Sequence, residues 1–150
     1  LGRYPIHFHV IGNNCNGCSV SDVSVHDTIQ RGIVVHDTSQ VLIRKNVLFN
    51  TVGHNVIVET DTTEGSFFEG NLAVVNRAPS PPITTPMLKA QSDDIPSGFW
   101  VRNGRNVFTD NHVAGATGMG FFFDDIRGGP LTFVGNVAHA AMAKGAGRVF

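Results

Sequence analysis

The sequence predicts an all-β solenoid, a parallel β-helix of about five coils with roughly 25 residues each. Three observations lead there. One short signature recurs: an apolar residue, two variable residues and an asparagine. Ile43-Arg44-Lys45-Asn46 returns as Phe68-Glu69-Gly70-Asn71, Phe108-Thr109-Asp110-Asn111 and Phe133-Val134-Gly135-Asn136. The asparagines stand 25, 40 and 25 residues apart, so the long interval is one period carrying 15 inserted residues. A second landmark alternates with the first: Gly32-Ile33-Val34-Val35-His36, Asn55-Val56-Ile57-Val58-Glu59, Gly98-Phe99-Trp100-Val101-Arg102 and Gly120-Phe121-Phe122-Phe123-Asp124, with Pro5-Ile6-His7-Phe8-His9 as the earliest copy. Finally, no copy holds an amphipathic pattern of helical length. Short runs of Val, Ile and Phe broken by Gly, Asn and Asp are strands separated by turns. Asparagine at a fixed place in each coil suits a turn, because it tolerates left-handed backbone and its amide can bond the next asparagine in a ladder.

Composition limits the function. At 41% hydrophobic and 15% charged the chain can fill the core of an ordinary water-exposed domain. A net charge of −1 offers no electrostatic case for nucleic acid or an anionic membrane. No run of 18 apolar residues exists, so no transmembrane helix is expected. There is no initiator Met and repeat copies run close to both ends, whereas a solenoid needs caps over its terminal strand edges. Residues 1–150 are therefore expected to be a segment of a single β-helix domain in a longer chain.

In order, Leu1 to Ile11 opens with a strand that places Ile6, Phe8 and Val10 on one face and His7 and His9 on the other. Asn13 to Cys18 is a turn-rich loop. Its Cys15-Asn16-Gly17-Cys18 spacing matches half a zinc site or a redox pair, but no second Cys/His pair stands at ligand spacing and no helix follows. That leaves a local disulfide or two free thiols, and no metal site is expected. Ser19 to Gln40 forms the next coil, with Val23, Val25, Ile33 and Val35 inward. His26-Asp27 and His36-Asp37 invite a catalytic reading, yet neighbours on a strand point to opposite faces. Asp27 and Asp37, each followed by Thr, look like turn residues. Val41 to Glu64 is the reference coil, and Ser66 to Val75 begins the next. Residues 76–97 then interrupt the repeat with five of the seven prolines, which cannot join a hydrogen-bonded ladder, so this segment loops out as a surface insertion. The repeat resumes at Gly98, and a last coil from Gly118 to Arg148 fades into an Ala/Gly-rich stretch without assignment.

Aligning the coils yields the candidate site. Val35, Val58, Val101 and Phe123 stack inward, beside Ile33, Val56, Phe99 and Phe121. The adjacent outward column reads His9, His36, Glu59, Arg102 and Asp124, five ionisable groups over roughly 19 Å at the strand spacing of a sheet. The other outward column reads His7, Val34, Ile57, Trp100 and Phe122. One reading is a solvated ladder in which Glu59 and Asp124 neutralise Arg102, and an apolar strip buried by the 76–97 insertion. The other is a groove for a linear acidic polysaccharide. In the groove Arg102 grips a uronate, Trp100 stacks on a sugar, and His7, His54 and Asp124 line the site. His36 and Glu59, with His9, are then the general acid and base.

The string Gly2-Arg3-Tyr4-Pro5-Ile6-His7-Phe8-His9, with Val25-His26-Asp27-Thr28, Val35-His36-Asp37-Thr38, Asn50-Thr51-Val52-Gly53-His54 and Gly98-Phe99-Trp100-Val101, resembles the β-helix region shared by the cell migration-inducing hyaluronan-binding protein, the transmembrane-type cell-surface hyaluronidase and the fibrocystin-like receptors. The resemblance covers nearly the whole chain. It implies a right-handed parallel β-helix in a large extracellular or cell-surface protein. Some members are linked to calcium-dependent hyaluronan depolymerisation, while the fibrocystin-like branch has no established enzyme activity. The resemblance thus implies calcium as a candidate cofactor and a glycosaminoglycan-like partner. The alternative it leaves is a non-catalytic structural or adhesive module. Where the family usually reads Leu-Glu-Asp-Gly, this chain has Val58-Glu59-Thr60-Asp61, keeping the glutamate and losing the glycine.

Overall fold

A computed structural model describes residues 4–80, 91–127 and 132–142. The chain winds through five coils of three strands. The first holds β1 (Ile6–Gly12), β2 (Ser19–Ser21) and β3 (Ser24–His26), and the second β4 (Ile33–Thr38), β5 (Leu42–Arg44) and β6 (Val47–Val52). The third holds β7 (Val56–Val58), β8 (Phe67–Glu69) and β9 (Leu72–Arg77), and the fourth β10 (Phe99–Asn103), β11 (Val107–Thr109) and β12 (His112–Ala114). The fifth holds β13 (Phe121–Arg127), β14 (Thr132–Val134) and β15 (Val137–His139). Equivalent strands of successive coils pair in parallel, giving three five-stranded sheets: β1-β4-β7-β10-β13, β2-β5-β8-β11-β14 and β3-β6-β9-β12-β15. The expected parallel β-solenoid is what forms.

Register follows the sequence columns. Ile33 pairs with Val56, Val56 with Phe99, and Phe99 with Phe121. Ile33, Val35, Val56, Val58, Phe99, Val101 and Phe121 are all buried. Against them pack Ile43, Phe68 and Phe108 from the second sheet and Val25, Leu48, Ala73 and Val113 from the third. Phe68 and Phe108 stack with ring centroids 4.7 Å apart. The coil cross-section is so narrow that a Cβ at Gly98 would stand 2.5 Å from the Val113 side chain and 2.7 Å from the Gly120 carbonyl oxygen. That close approach accounts for glycine in the second landmark. One expected core residue is not inward. Val23 is 39% exposed, because it lies in the bend between β2 and β3; Val20 packs on the core in that coil.

The corner asparagines do form a ladder. Asn46 Nδ2 donates to Asn71 Oδ1 at 3.0 Å, Asn71 Nδ2 to Asn111 Oδ1 at 2.9 Å, and Asn111 Nδ2 to Asn136 Oδ1 at 2.8 Å. Each also donates to a main-chain carbonyl: Val20, Ile43, Phe68 and Phe108 in turn. The left-handed residue, however, is the one before the asparagine: Lys45, Gly70, Asp110 and Gly135 carry φ of +52°, +61°, +55° and +68°. A second left-handed corner stacks Asp27, Asn50, Val75, Gly115 and Ala140. Asp27 is left-handed in the bend after β3, as a turn residue should be; Asp37 is left-handed too but lies inside β4, where the β1–β4 register shifts.

Cys15 and Cys18 are joined by a disulfide, which resolves the choice between a bridge and free thiols. The insertion leaves after β9 and returns through a 3-10 turn, Gln91–Asp94, the one helical element among the described residues. Residues 81–90, with Pro81, Pro82 and Pro86, and the Ala/Gly-rich residues 143–150 lie outside the described residues.

Candidate functional site

The outward face of the β1-β4-β7-β10-β13 sheet carries both sequence-predicted columns, and the structure treats them differently. The apolar column is buried. Val34 and Ile57 are fully inaccessible and Trp100 is 6% exposed, with Tyr4 and Phe122 packed on them. His54 is also fully buried, stacked on Trp100 at 5.7 Å between ring centroids. The return limb of the insertion lies here: the Ser97 N–H donates to His54 Nδ1 at 2.9 Å. The proposed sugar contacts of Trp100 and His54 are corrected accordingly. Both side chains are packing residues: Trp100 is removed from water among Val34, Ile57, Tyr4, Phe122 and His54, and His54 accepts the bond that ties down the returning limb.

Beneath this limb lies a group that the column alignment passed over. Arg31 is fully buried, and its Nε donates to both Asp93 carboxylate oxygens at 3.0 Å. Its Nη1 donates to Glu59 Oε1 at 2.8 Å, and its guanidinium lies 5.7 Å from the Tyr4 ring centroid. Burial opposes the charge most strongly, but the Asp93 and Glu59 carboxylates outweigh it and hold the arginine pKa above its ordinary value. Glu59 spends its other oxygen on His36, with Oε2 3.1 Å from Nδ1. The far nitrogen of that ring, Nε2, faces Asp37 Oδ2 at 3.2 Å. The Thr62 hydroxyl donates to Asp37 and holds its carboxyl below the usual carboxylate range.

His7 and His9 complete this end of the face. His9 is in register with His36, and the ring centroids of His9 lie 4.9 Å from His36 and 4.8 Å from His7. One nitrogen from each of His7, His9 and His36 lies within 4.8 Å of the others. Partial burial, then the charge of His9, holds His7 below its ordinary pKa. At the other end Arg102 sits over Trp100, 5.7 Å from the ring centroid, with Asp124 Oδ2 4.0 Å from its Nε. That nitrogen has no hydrogen-bond partner among the described residues. Glu59 therefore does not neutralise Arg102, because Arg31 and His36 have taken it. The face brings His7, His9, His36, Asp37 and Glu59 into one cluster, and Arg102 with Asp124 into a second.

Calcium does not fit the first cluster. Calcium takes six to eight oxygen ligands, whereas three imidazoles gather here and Glu59 has both oxygens engaged.

His54 predicts a pH dependence. Burial, reinforced by the Arg31 charge, pushes its pKa from 6.5 down to about 3. Between these values the unfolded chain binds a proton there and the folded chain does not, so stability falls as pH falls through that window. Each pH unit costs about 1.4 kcal/mol, or roughly 2 kcal/mol from pH 7 to 5. Urea unfolding of His54→Gln across this range should give a flatter profile than the parent. Parallel profiles would show that His54 is not the group responsible.

A parallel β-solenoid with an ionic clamp under an insertion and an imidazole–carboxylate cluster on one sheet face defines the class structurally. The chain belongs to the CEMIP β-helix family, whose model matches residues 1–132. It is 32% identical over 124 residues to human fibrocystin-L, covering 82% of this chain and 3% of that protein. It is 30% identical over 156 residues to the mouse cell migration-inducing and hyaluronan-binding protein, covering 87% of this chain and 11% of that one. It is 26% identical over 146 residues to the human cell surface hyaluronidase CEMIP2, covering 82% and 11%. The chain thus spans only a small part of the length of these relatives. No solved structure matches it significantly.

Proposed function

We propose that this β-solenoid is an extracellular carbohydrate-active module that acts on hyaluronan or a related acidic polysaccharide along the outward face of the β1-β4-β7-β10-β13 sheet. The observation behind it is the division of charge on that face. The Arg102 side chain is 42% exposed and its contact with Asp124 is long, at 4.0 Å, so its guanidinium can meet an incoming carboxylate, while Glu59 is locked between buried Arg31 and His36 at the other end. In this reading Arg102 grips a uronate, with Asp124 limiting its reach. The His36–Glu59 pair, with His9 and His7 beside it, serves as the proton-transferring end. Two relatives whose names contain hyaluronan binding or hyaluronidase activity support the substrate class. The Cys15–Cys18 disulfide supports an oxidising compartment.

Arg102→Ala in the full-length protein should weaken retention on immobilised hyaluronan about tenfold, the cost of about 1.5 kcal/mol for one charge-assisted contact. Arg102→Lys should restore part of it, since lysine keeps the charge without the fork. His36→Ala should leave retention nearly intact and abolish depolymerisation. Unchanged retention and turnover in Arg102→Ala and His36→Ala would remove this face from the function and favour a structural module.

A further inference from the structure

The imidazole end has a chemistry of its own. His7 and His9 are two apart on β1 and so project from the same face, and His36 stands beside them one strand over. None belongs to the core: His7 and His9 are exposed and His36 half-buried. Tyr4 sets its ring edge-on against His7 at 5.0 Å. Three imidazoles gathered this closely offer three lone pairs to a common point and repel one another when protonated. Donors on one tetrahedral ion at 2.0–2.1 Å stand about 3.3 Å apart. Nitrogens within 4.8 Å need only side-chain rotation to reach that spacing.

The surroundings of His36 match a ligand. A neutral imidazole has one N–H and can donate to only one of Glu59 and Asp37. The other nitrogen then turns its lone pair toward a carboxylate about 3 Å away, an arrangement of two electron-pair donors that either a second proton on the ring or a bound metal cation resolves. A carboxylate behind a ligating histidine fixes the tautomer and ring orientation. Here that carboxylate is itself fixed, because Glu59 is held at 2.8 Å by the fully buried Arg31.

We propose that His7, His9 and His36 form a binding site for a first-row transition-metal dication of the Zn²⁺ type, backed by Glu59, with Asp37 beside it. Imidazole nitrogens favour Zn²⁺, Co²⁺, Ni²⁺ or Cu²⁺ over Ca²⁺ and Mg²⁺. An ion there clips β1 to β4 across two coils and keeps an open position toward solvent. The site stands whether or not Arg102 binds a polysaccharide, but a filled site uses the imidazole lone pairs that proton transfer by His36 and His9 would need, so the two roles of these histidines exclude each other.

The test uses the full-length protein, stripped with chelator and titrated with Zn²⁺ alone by calorimetry, with Co²⁺ followed by its visible absorption. One equivalent should bind, unaffected by excess Ca²⁺, and raise the melting temperature. His9→Ala and the His7→Ala/His9→Ala pair should weaken binding at least about 100-fold, the upper range for loss of a supporting partner alone. Both replace exposed side chains, so their chelator-treated melting temperatures should match the parent. A triple control, His26→Ala/His112→Ala/His139→Ala, removes exposed histidines elsewhere and should bind Zn²⁺ like the parent. No stoichiometric binding, or equal weakening in the control, overturns the site. Arg102→Ala retention measured in chelator fails or holds separately, so loss of one reading leaves the other intact.

Discussion

Replacing Arg31 by alanine is expected to lower the unfolding free energy by about 3–5 kcal/mol, because it leaves Asp93 buried without its counter-charge. Arg31 links the insertion to the histidine end, since it bonds Asp93 on one side and Glu59 on the other. Asp93→Asn should be similarly costly. The double replacement Arg31→Met/Asp93→Leu should cost much less than the sum of two single losses, because it removes both buried charges together and leaves apolar groups in their place. Arg31→Lys should recover little, as one ammonium cannot span both carboxylates. Chemical denaturation of the four variants decides it. A loss below about 1 kcal/mol in Arg31→Ala would place the clamp among ordinary exposed ion pairs.

The second large effect is expected at Asn71, in the middle of the corner ladder. Its Nδ2 donates to the Ile43 carbonyl and to Asn111 Oδ1, and its Oδ1 accepts from both the main-chain N–H and the Nδ2 of Asn46. Alanine orphans buried groups on both neighbouring coils. At about 1–3 kcal/mol for each unsatisfied buried group, the loss should reach about 3–5 kcal/mol. Asn71→Asp should not rescue it, since the carboxylate supplies no donor for Asn111 Oδ1 and brings an unpaired charge inside. Asn136→Ala should cost less than half as much, because Asn136 is only half-buried and accepts from Asn111 alone among the ladder residues. Equal losses at Asn71 and Asn136 would contradict burial as the source of the effect.

The site was legible in the sequence only in part. His9, His36 and Glu59 fall on one column because strand alternation and coil spacing are regular, and the structure keeps that order. Arg31 was within reach of the same alignment. It occupies the place in its coil that His54 occupies in the next, as the bond from the Gly32 N–H to the His54 carbonyl confirms at 3.1 Å. Asp93 carried no such signal, since it lies in an insertion that has no counterpart in the other coils. Without Asp93 nothing marks Arg31 as buried, and without Arg31 nothing says that Glu59 turns away from Arg102. The alignment also put His7, His9 and His36 on one outward face; what it could not give was the approach of their ring nitrogens to within 4.8 Å, because strand alternation fixes a side chain's direction and not its rotamer.

What the sequence determined by itself was everything periodic. An inward apolar column and an asparagine at each corner recur coil after coil, and each repeat reports on the others; that the left-handed residue is the one before the asparagine came only from the structure. The three sheets, their register and the stacked phenylalanine core follow from that repetition. What only the tertiary structure decided was which outward residues meet solvent. Trp100 and His54 occupy outward places in the repeat, yet both are buried, Trp100 with Tyr4, Phe122 and His54 packed on it and His54 bonded to the returning insertion, and Asp93 draws Arg31 and Glu59 into one ionic cluster. An outward position fixes only the direction of a side chain. Whether water or another segment lies there depends on non-repeating chain, here Tyr4 on the apolar strip and the returning insertion on His54 and the buried Arg31 charge.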